Sequence, residues 1–212
     1  MNFLLPHLRR HPAFAEGARA SVHGATGLAA WGLMTGVAMS QSGMSTFESV
    51  LMTLIVYAGS SQLAAIPLIM AGAPFWVILA TGFCVNLRFV VFSLHLRQYL
   101  MHLPLAQRLF TGYLTVDMTY VLLTQHHPHP APDLEGRQSQ LAFLMGANVL
   151  IWAAWMGPSL VGVLLASAVP THWGLGFAGI LCLMGILWSL ATQRLRLVAA
   201  VVAGATAVAA YS

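Results

Sequence analysis

Apolar residues fill most of this chain, in seven long runs that are separated by short polar or Gly/Pro-containing breaks. A run of about 18 apolar residues or more forms a helix long enough to cross a bilayer. The pattern therefore predicts an all-α polytopic membrane protein. The seven elements lie roughly at Val22–Ser40, Phe47–Ala71, Pro74–Leu96, Leu105–Thr124, Leu141–Val169, Trp173–Thr192 and Leu195–Tyr211.

The charge content agrees with that class. Only 7% of the 212 residues are charged, whereas soluble domains carry roughly 25%, so a water-soluble globule is excluded. All basic residues are arginines, and they cluster at segment ends with the exception of Arg88, a distribution that sets membrane topology and does not indicate nucleic-acid binding. We expect residues 1–21 to form a cytoplasmic N-terminal segment and residues 22–212 a single transmembrane transporter domain.

Arginine clusters near three segment ends constrain the topology. The positive-inside rule places each cluster in the cytoplasm, but seven simple spans would put the connection after the third element outside. The rule holds throughout if elements two and five each enter the membrane and return on the same side. The clusters are Arg9, Arg10 and Arg19 before the first element, Arg97 and Arg108 after the third, and Arg194 and Arg196 after the sixth.

Elements two and five also carry helix-breaking signals. Element two contains the run 59–62, Gly-Ser-Ser-Gln, and Pro67, and element five is long and contains Gly157-Pro158. Gly/Pro-interrupted segments at matching positions of two halves point to a transporter site. We predict two three-element halves with broken or re-entrant helices at elements two and five. The alternative is that both are tilted or kinked full spans.

Arg88 is the full charge most deeply placed in an apolar run. No other full charge lies between Glu48 and Arg97, and a guanidinium in hydrocarbon costs several kcal/mol unless it has a partner, a water-filled cavity or a ligand. Asp117, the acid placed well inside an apolar element, is a candidate counter-ion, proton carrier or partner for an ammonium group. The bland interpretation is a structural ion pair. Asn86 and, more weakly, Asn148 are further polar candidates.

The polar run at the centre of element two is the second candidate feature. Glycine lets a helix unwind, and serine hydroxyls cap the half-helix that follows. The free N–H groups of such a helix start bind carboxylates, although small residues in this run also permit close helix packing. The substrate-binding candidates are Gly59, Ser60, Ser61, Gln62, Asn86, Arg88, Asp117 and Asn148, with Tyr57, Phe83 and Phe92 as pocket candidates.

Other polar motifs predict no enzyme, metal or cofactor. Prolines in the run His126–Pro130 prevent a helix, so we expect a solvated loop and not a metal site. Gly32 and Gly36 fit a helix-packing pattern. The chain has no GxSxG motif for a serine nucleophile and no lysine for a phosphate-binding loop.

Two motifs resemble the AzlC family of bacterial membrane proteins. The run 57–65, Tyr-Ala-Gly-Ser-Ser-Gln-Leu-Ala-Ala, followed by Asn86-Leu87-Arg88, is similar to the family's signature, and Asp117 resembles its acid in the fourth segment. The resemblance extends from about Gly24 to Trp188. It implies a bacterial inner-membrane protein that exports branched-chain amino acids together with a small AzlD-like membrane subunit. Gly176 and Met118 stand where relatives often carry acids.

The resemblance and the polar residues together predict the large subunit of a secondary exporter. A zwitterionic amino acid would place its carboxylate at Ser60–Gln62 and Arg88, and its ammonium group at Asp117 and Asn86. The rival interpretations are a channel or exporter for another small solute and a non-transporting membrane scaffold. The sequence leaves open a homo-oligomer, the coupling ion, and whether the carboxylate partner of Arg88 is Asp117 or the cargo.

Overall fold

The computed structural model describes residues 8–166 and the isolated residues 202 and 206. Elements six and seven lie outside the described residues, in the second of two compact units, Met1–Val169 and Pro170–Ser212. The described part is all-α, as predicted, and contains a 3-10 turn at Leu8–Arg10 and seven helices. The helices are α1 (Pro12–Gln41), α2 (Thr46–Ile55), α3 (Gly59–Met70), α4 (Phe75–Leu100), α5 (Leu105–Leu114), α6 (Asp117–His126) and α7 (Leu134–Leu165).

Helices α1 and α7 form a closely packed parallel pair. Two glycines on each helix lie directly against the backbone carbonyl of a residue on the other, and the contacts advance together along both chains. Because a Cβ at any of these glycines would overlap the facing backbone, the sequence fixes this close approach. The packing role predicted for Gly36 is thereby confirmed. The contacts are Gly17 with Phe143, Gly146 with Phe14, Gly36 with Ser159, and Gly162 with Leu33.

The two ends of this helix pair differ in charge. At the end where α1 and α7 begin, Ala13 and Leu141 share a core with Leu100 at the end of α4. We call this the arginine end, because every described arginine except Arg88 lies in a turn next to it or within the first or last two to three turns of a helix that begins or ends there. At the opposite end, Met39 of α1 packs with Val163 of α7. Helix α4 therefore runs from the opposite end to the arginine end.

Helices α2 and α3 form a hairpin that enters from the opposite end and returns to it. The chain reaches its deepest point at Tyr57, which packs against Trp155 and Met156 in the middle of α7. Helix α3 then leads back, so that Ile66 joins Met39 at the opposite end. The predicted break in element two is confirmed and lies immediately before Gly59.

Helices α5 and α6 form a second hairpin, which starts and finishes at the arginine end. Thr115, between the two helices, reaches Asn148 in α7, and Leu123 of α6 rejoins the core at the arginine end. Element four was expected to be a simple span, and that expectation is wrong. The β-branched pair Thr115-Val116, followed by an aspartate, disfavours a continuous helix and favours a new helix start.

The predicted break in element five is also wrong, because α7 continues through Gly157-Pro158. An internal proline removes one backbone hydrogen bond and crowds the preceding turn. Here buried neighbours on the same helix, Trp155, Met156 and Ser159, hold α7 against the rest of the fold. The two hairpins thus belong to elements two and four, and each is followed by one long helix.

Two helices also begin earlier than the apolar pattern predicted. Helix α1 begins at Pro12, where the His11 ring accepts a hydrogen bond from the N–H of Ala13, and not at Val22. Helix α7 begins at Leu134, and not at Leu141, with Asp133 as its N-cap. The expected segment boundary at residue 21 therefore falls inside α1. Hydropathy did not indicate these starts, because charged residues lie in the early turns of both helices, Glu16 and Arg19 in α1 and Glu135 and Arg137 in α7.

Candidate functional site

The two hairpins meet at Arg88, in the middle of α4. The Nη2 atom of Arg88 donates a hydrogen bond to Ser60 Oγ at 2.8 Å. Its Nη1 atom lies 3.2 Å from Asp117 Oδ2. Ser60 is the second residue of α3 and Asp117 the first of α6. One guanidinium therefore connects the starts of two half-helices, α3 and α6. These helices belong to hairpins that enter from opposite ends of the fold.

Both half-helices direct their N-termini toward this guanidinium. The N–H groups of Ser61 and Gln62 bond to the Ala58 carbonyl, while those of Gly59 and Ser60 have no acceptor among the described residues. The start of a helix carries a partial positive charge of roughly half an elementary charge. Two helix starts and one arginine thus face a single carboxylate, that of Asp117, and the balance of charge favours an additional anion.

The Arg88–Asp117 pair is accessible from outside the described residues. The two side chains are 39% and 46% exposed, although Arg88 Nε and Asp117 Oδ1 are themselves buried and have no partner in the described part of the chain. Arg88 therefore contacts Asp117 and Ser60 together, and its side chain remains partly exposed.

Neighbouring side chains fix the position of the guanidinium. Arg88 lies over the ring of Phe89, with its Cζ atom 5.1 Å from the ring centroid, a cation–π geometry. Two residues earlier, Asn86 Oδ1 accepts a hydrogen bond from Ser61 Oγ at 2.8 Å. The bond ties the start of α3 to α4 a second time. Ser60, Ser61, Asn86, Arg88 and Asp117, five of the predicted residues, therefore form one connected cluster.

Tyr57, Gly59 and Gln62 support the first hairpin. Gly59 lies against the indole ring of Trp155, where a Cβ would overlap the ring, so its contact is one of packing. The buried Gln62 donates from Nε2 to the Met52 carbonyl at 3.2 Å and thus caps α2. Tyr57 is buried at the tip of the hairpin, next to Trp155.

Three other predicted residues lie away from Arg88 or on its margin. Asn148 bonds to Thr115 in the second hairpin. Phe92 stacks on Tyr120 of α6, with ring centroids 4.3 Å apart. Phe83 is 67% exposed within the described part of the chain, on the broad apolar face of α4.

Sequence reasoning missed Tyr113 and Trp155. The Tyr113 hydroxyl of α5 donates to the Leu54 carbonyl of α2 at 2.6 Å, and the Tyr113 ring lies 5.7 Å from that of Tyr57. The two hairpin tips are therefore in direct contact. Trp155 carries no sequence signal beyond its hydrophobicity, whereas the position of Tyr113, four residues before Asp117 in the same element, is a signal that could have indicated it.

The histidine run lies at the arginine end. His126 Nε2 is 2.9 Å from Glu16 Oε1, and the His126 ring stacks on Phe143. Burial, and then the charge of neighbouring His126, lower the pKa of His127. Within the described residues no group of three His, Cys, Asp or Glu side chains is arranged to hold a metal ion.

Two described helices, Phe75–Leu100 and Leu134–Leu165, are long and apolar enough to cross a membrane. Broken helices whose ends converge on a charged group are typical of membrane transporters, and this is the class that the described fold and site indicate. The chain matches the AzlC protein family over residues 25–169. It therefore belongs to the AzlC family, whose members are transporter components associated with export of amino acids and other small solutes. No curated protein and no solved structure matched the chain.

Proposed function

We propose that this protein is the large membrane subunit of a secondary exporter for branched-chain or similar small apolar amino acids. The observation that carries the proposal is the simultaneous contact of Arg88 with Ser60 and Asp117. A zwitterion needs a positive group and a negative group a few ångströms apart, and this cluster supplies both, with Arg88 in the middle of α4 and Asp117 at the start of α6.

The cargo carboxylate binds Arg88 and the free N–H groups at the start of α3. A planar guanidinium matches a carboxylate with two parallel hydrogen bonds, and the helix start adds partial positive charge. The ammonium group binds Asp117, whose Oδ1 atom lacks a partner among the described residues, with the side-chain carbonyl of Asn86 nearby. Tyr57 and Phe92 border the space for the apolar side chain of the cargo, and Phe83 lies nearer the start of α4.

The arrangement of the hairpins supports transport across a bacterial inner membrane. With the arginine end in the cytoplasm, the positive-inside rule is obeyed by every described arginine cluster. The second hairpin then enters from the cytoplasm and the first from the outside, so each side of the membrane has its own hairpin leading to Arg88. The exposed apolar face of α4 is available to lipid or to a small AzlD-like subunit.

Export measurements test the proposal. Cells that express the chain, with and without its small partner, are loaded with valine or methionine, and efflux is followed. We expect faster efflux when both subunits are present. No difference from empty-vector cells under any partner condition would refute the amino-acid assignment.

The scaffold alternative makes a different prediction for the same cells. If Arg88 and Asp117 only hold helices together, Asp117→Asn should lower the amount of folded protein or of assembled complex together with efflux. If they bind cargo, the amount of assembled complex is retained while efflux is lost.

A further inference from the structure

Each hairpin contains a half-helix that ends in the interior of the fold, α2 at Ile55 and α5 at Leu114. The last carbonyls of a helix have no donor within the helix, and together they carry a partial negative charge. A helix end of this kind needs donors or a positive charge. The two hairpins meet this need differently.

The end of α2 is capped by side-chain donors. Tyr113 Oη donates to the Leu54 carbonyl at 2.6 Å, and Gln62 Nε2 donates to the Met52 carbonyl at 3.2 Å. The Val56 N–H also bonds to Met52. These contacts neutralise the carbonyls at the point where the first hairpin turns.

The end of α5 has no such donors in the described part of the chain. The carbonyls of Tyr113, Leu114 and Thr115 accept no hydrogen bond from any described residue. Thr119 bonds to the backbone of Val116 on the α6 side of the break, and Asn148 of α7, which is fully buried, reaches the break from outside the hairpin. The Asn148 side chain presents an acceptor oxygen at the end of α5, whereas donors from Tyr113 and Gln62 contact the end of α2.

The hydrogen bonds of Thr115 explain why Asn148 presents oxygen. The Thr115 hydroxyl donates its one proton to the Thr111 carbonyl at 2.7 Å, so its oxygen is left to accept. Asn148 Nδ2 fills that role at 3.0 Å, and Asn148 Oδ1 stays buried with no partner among the described residues. A buried carbonyl oxygen without a partner is energetically unfavourable.

We propose that the break between α5 and α6 binds a small monovalent cation, with Asn148 Oδ1 and the free carbonyls at the end of α5 as ligands. Unwound carbonyls and half-helix C-termini coordinate such ions in transporters. The ligands are neutral oxygens, and the nearest acid along the chain, Asp117, is already paired with Arg88. Divalent ions favour carboxylate ligands, so the set suits a single positive charge. Both an inorganic ion and the ammonium group of a cargo have this chemistry.

Thermal unfolding of the purified full chain in detergent, without amino acid, tests the site. Melting temperatures are compared in NaCl, KCl and methylammonium chloride against choline chloride at equal concentration. We expect a higher melting temperature in at least one small cation than in choline. A response to Na⁺ or K⁺ identifies an inorganic ion, and a response to methylammonium alone identifies the cargo's ammonium group. Equal melting temperatures in all four salts would overturn the proposal.

Variants of Asn148 locate the response. Asn148→Leu is expected to abolish the cation-dependent shift. Asn148→Asp adds a charged ligand and should lower the cation concentration at half-effect by about tenfold, which keeps the test valid if the leucine variant does not fold. Ser159→Ala, which also removes a buried polar oxygen from α7, is the matched control and should respond as the unmodified protein does. A shift that persists unchanged in both Asn148 variants would place the cation elsewhere and refute the assignment.

This inference stands apart from the export proposal. The melting experiment contains no amino acid, so failure of valine or methionine efflux would leave a cation site at Asn148 intact. Conversely, loss of the cation effect would leave the assignment of Arg88 to a carboxylate unchanged.

Discussion

Ser60 and Asp117 begin different half-helices, and both contact the same guanidinium, at 2.8 Å and 3.2 Å from Arg88. Each of the two residues contacts Arg88 through its side chain. The link between the two hairpin starts is therefore electrostatic and passes through one side chain of α4.

Replacing Arg88 with lysine should reduce efflux as severely as replacing it with glutamine. A lysine ammonium is a point charge without the planar fork, so it cannot bond Ser60 and Asp117 in the geometry of the guanidinium. We expect efflux to fall at least tenfold, roughly 1.4 kcal/mol or more of lost stabilisation, in both variants. Efflux rates normalised to the amount of membrane-inserted protein measure this.

The matched control is Arg97→Lys, since Arg97 is an exposed arginine at the arginine end of the same helix. It should retain efflux within a factor of two, as expected for a surface charge. Full efflux by Arg88→Lys would show that charge alone is sufficient, in conflict with the bidentate role.

A methyl group at Gly59 should destabilise the first hairpin. The added Cβ of Gly59→Ala overlaps the Trp155 ring, and such overpacking costs typically 1–3 kcal/mol. The melting temperature of the purified protein is the measurement. Gly27→Ala is the control, because a Cβ at Gly27 of α1 meets no atom within 4 Å and alanine favours the helix by up to about 1 kcal/mol. If the melting temperature of Gly59→Ala were as high as that of Gly27→Ala, the close contact between Gly59 and Trp155 would be contradicted.

Removing Pro158 should not damage the protein. Because α7 is continuous across Gly157-Pro158, Pro158→Ala restores a helical N–H and relieves crowding in the preceding turn. We expect a melting temperature equal to or higher than that of the unmodified chain, with efflux retained. If Pro158 instead marks a functional break, efflux should fall while the protein stays folded, and the continuous helix would be wrong.

Acidification should weaken the start of α7 through Asp133. The N–H of Gly136 donates to the Asp133 carboxylate at 2.9 Å, and this bond is the main cause of its lowered pKa. A folded-state pKa below the unfolded value means that the stabilisation is complete above the ordinary aspartate pKa. It is lost as the pH falls through the lower, folded value.

Hydrogen exchange of the first turn of α7 at a series of pH values below the ordinary aspartate pKa measures this effect. Protection in the unmodified protein should decrease with acidification, after correction for the intrinsic exchange rate. Asp133→Asn keeps a capping side chain that does not titrate, so its protection should be lower at neutral pH but independent of pH in this range. Parallel pH dependence in both proteins would assign the effect to another group.

The sequence predicted the first hairpin because its break is polar. Gly59 and the serines after it stand out in an apolar run, and the helix break lies directly before them. The second break consists of Thr115-Val116, which hydropathy does not distinguish from an apolar span. The difference lies in backbone preference, since β-branched residues have a slightly lower helix propensity, which tertiary contacts override in many helices.

Element five shows the opposite effect. Gly157-Pro158 is a strong local helix breaker, yet α7 passes through it because glycine contacts with α1 lie on both sides, at Gly146 and Gly162. Those contacts join residues far apart in the chain and leave no local pattern. For the same reason the site could be predicted as a set of candidate residues, but the simultaneous contacts of Arg88 could not.

The sharing of one guanidinium couples the two hairpins. Arg88 Nη2 contacts Ser60 and Nη1 contacts Asp117, whereas Nε has no partner among the described residues. A carboxylate that binds Arg88 and shifts the guanidinium would therefore alter the attachment of both hairpins in one step, so that neither side of the fold would respond to the ligand independently of the other.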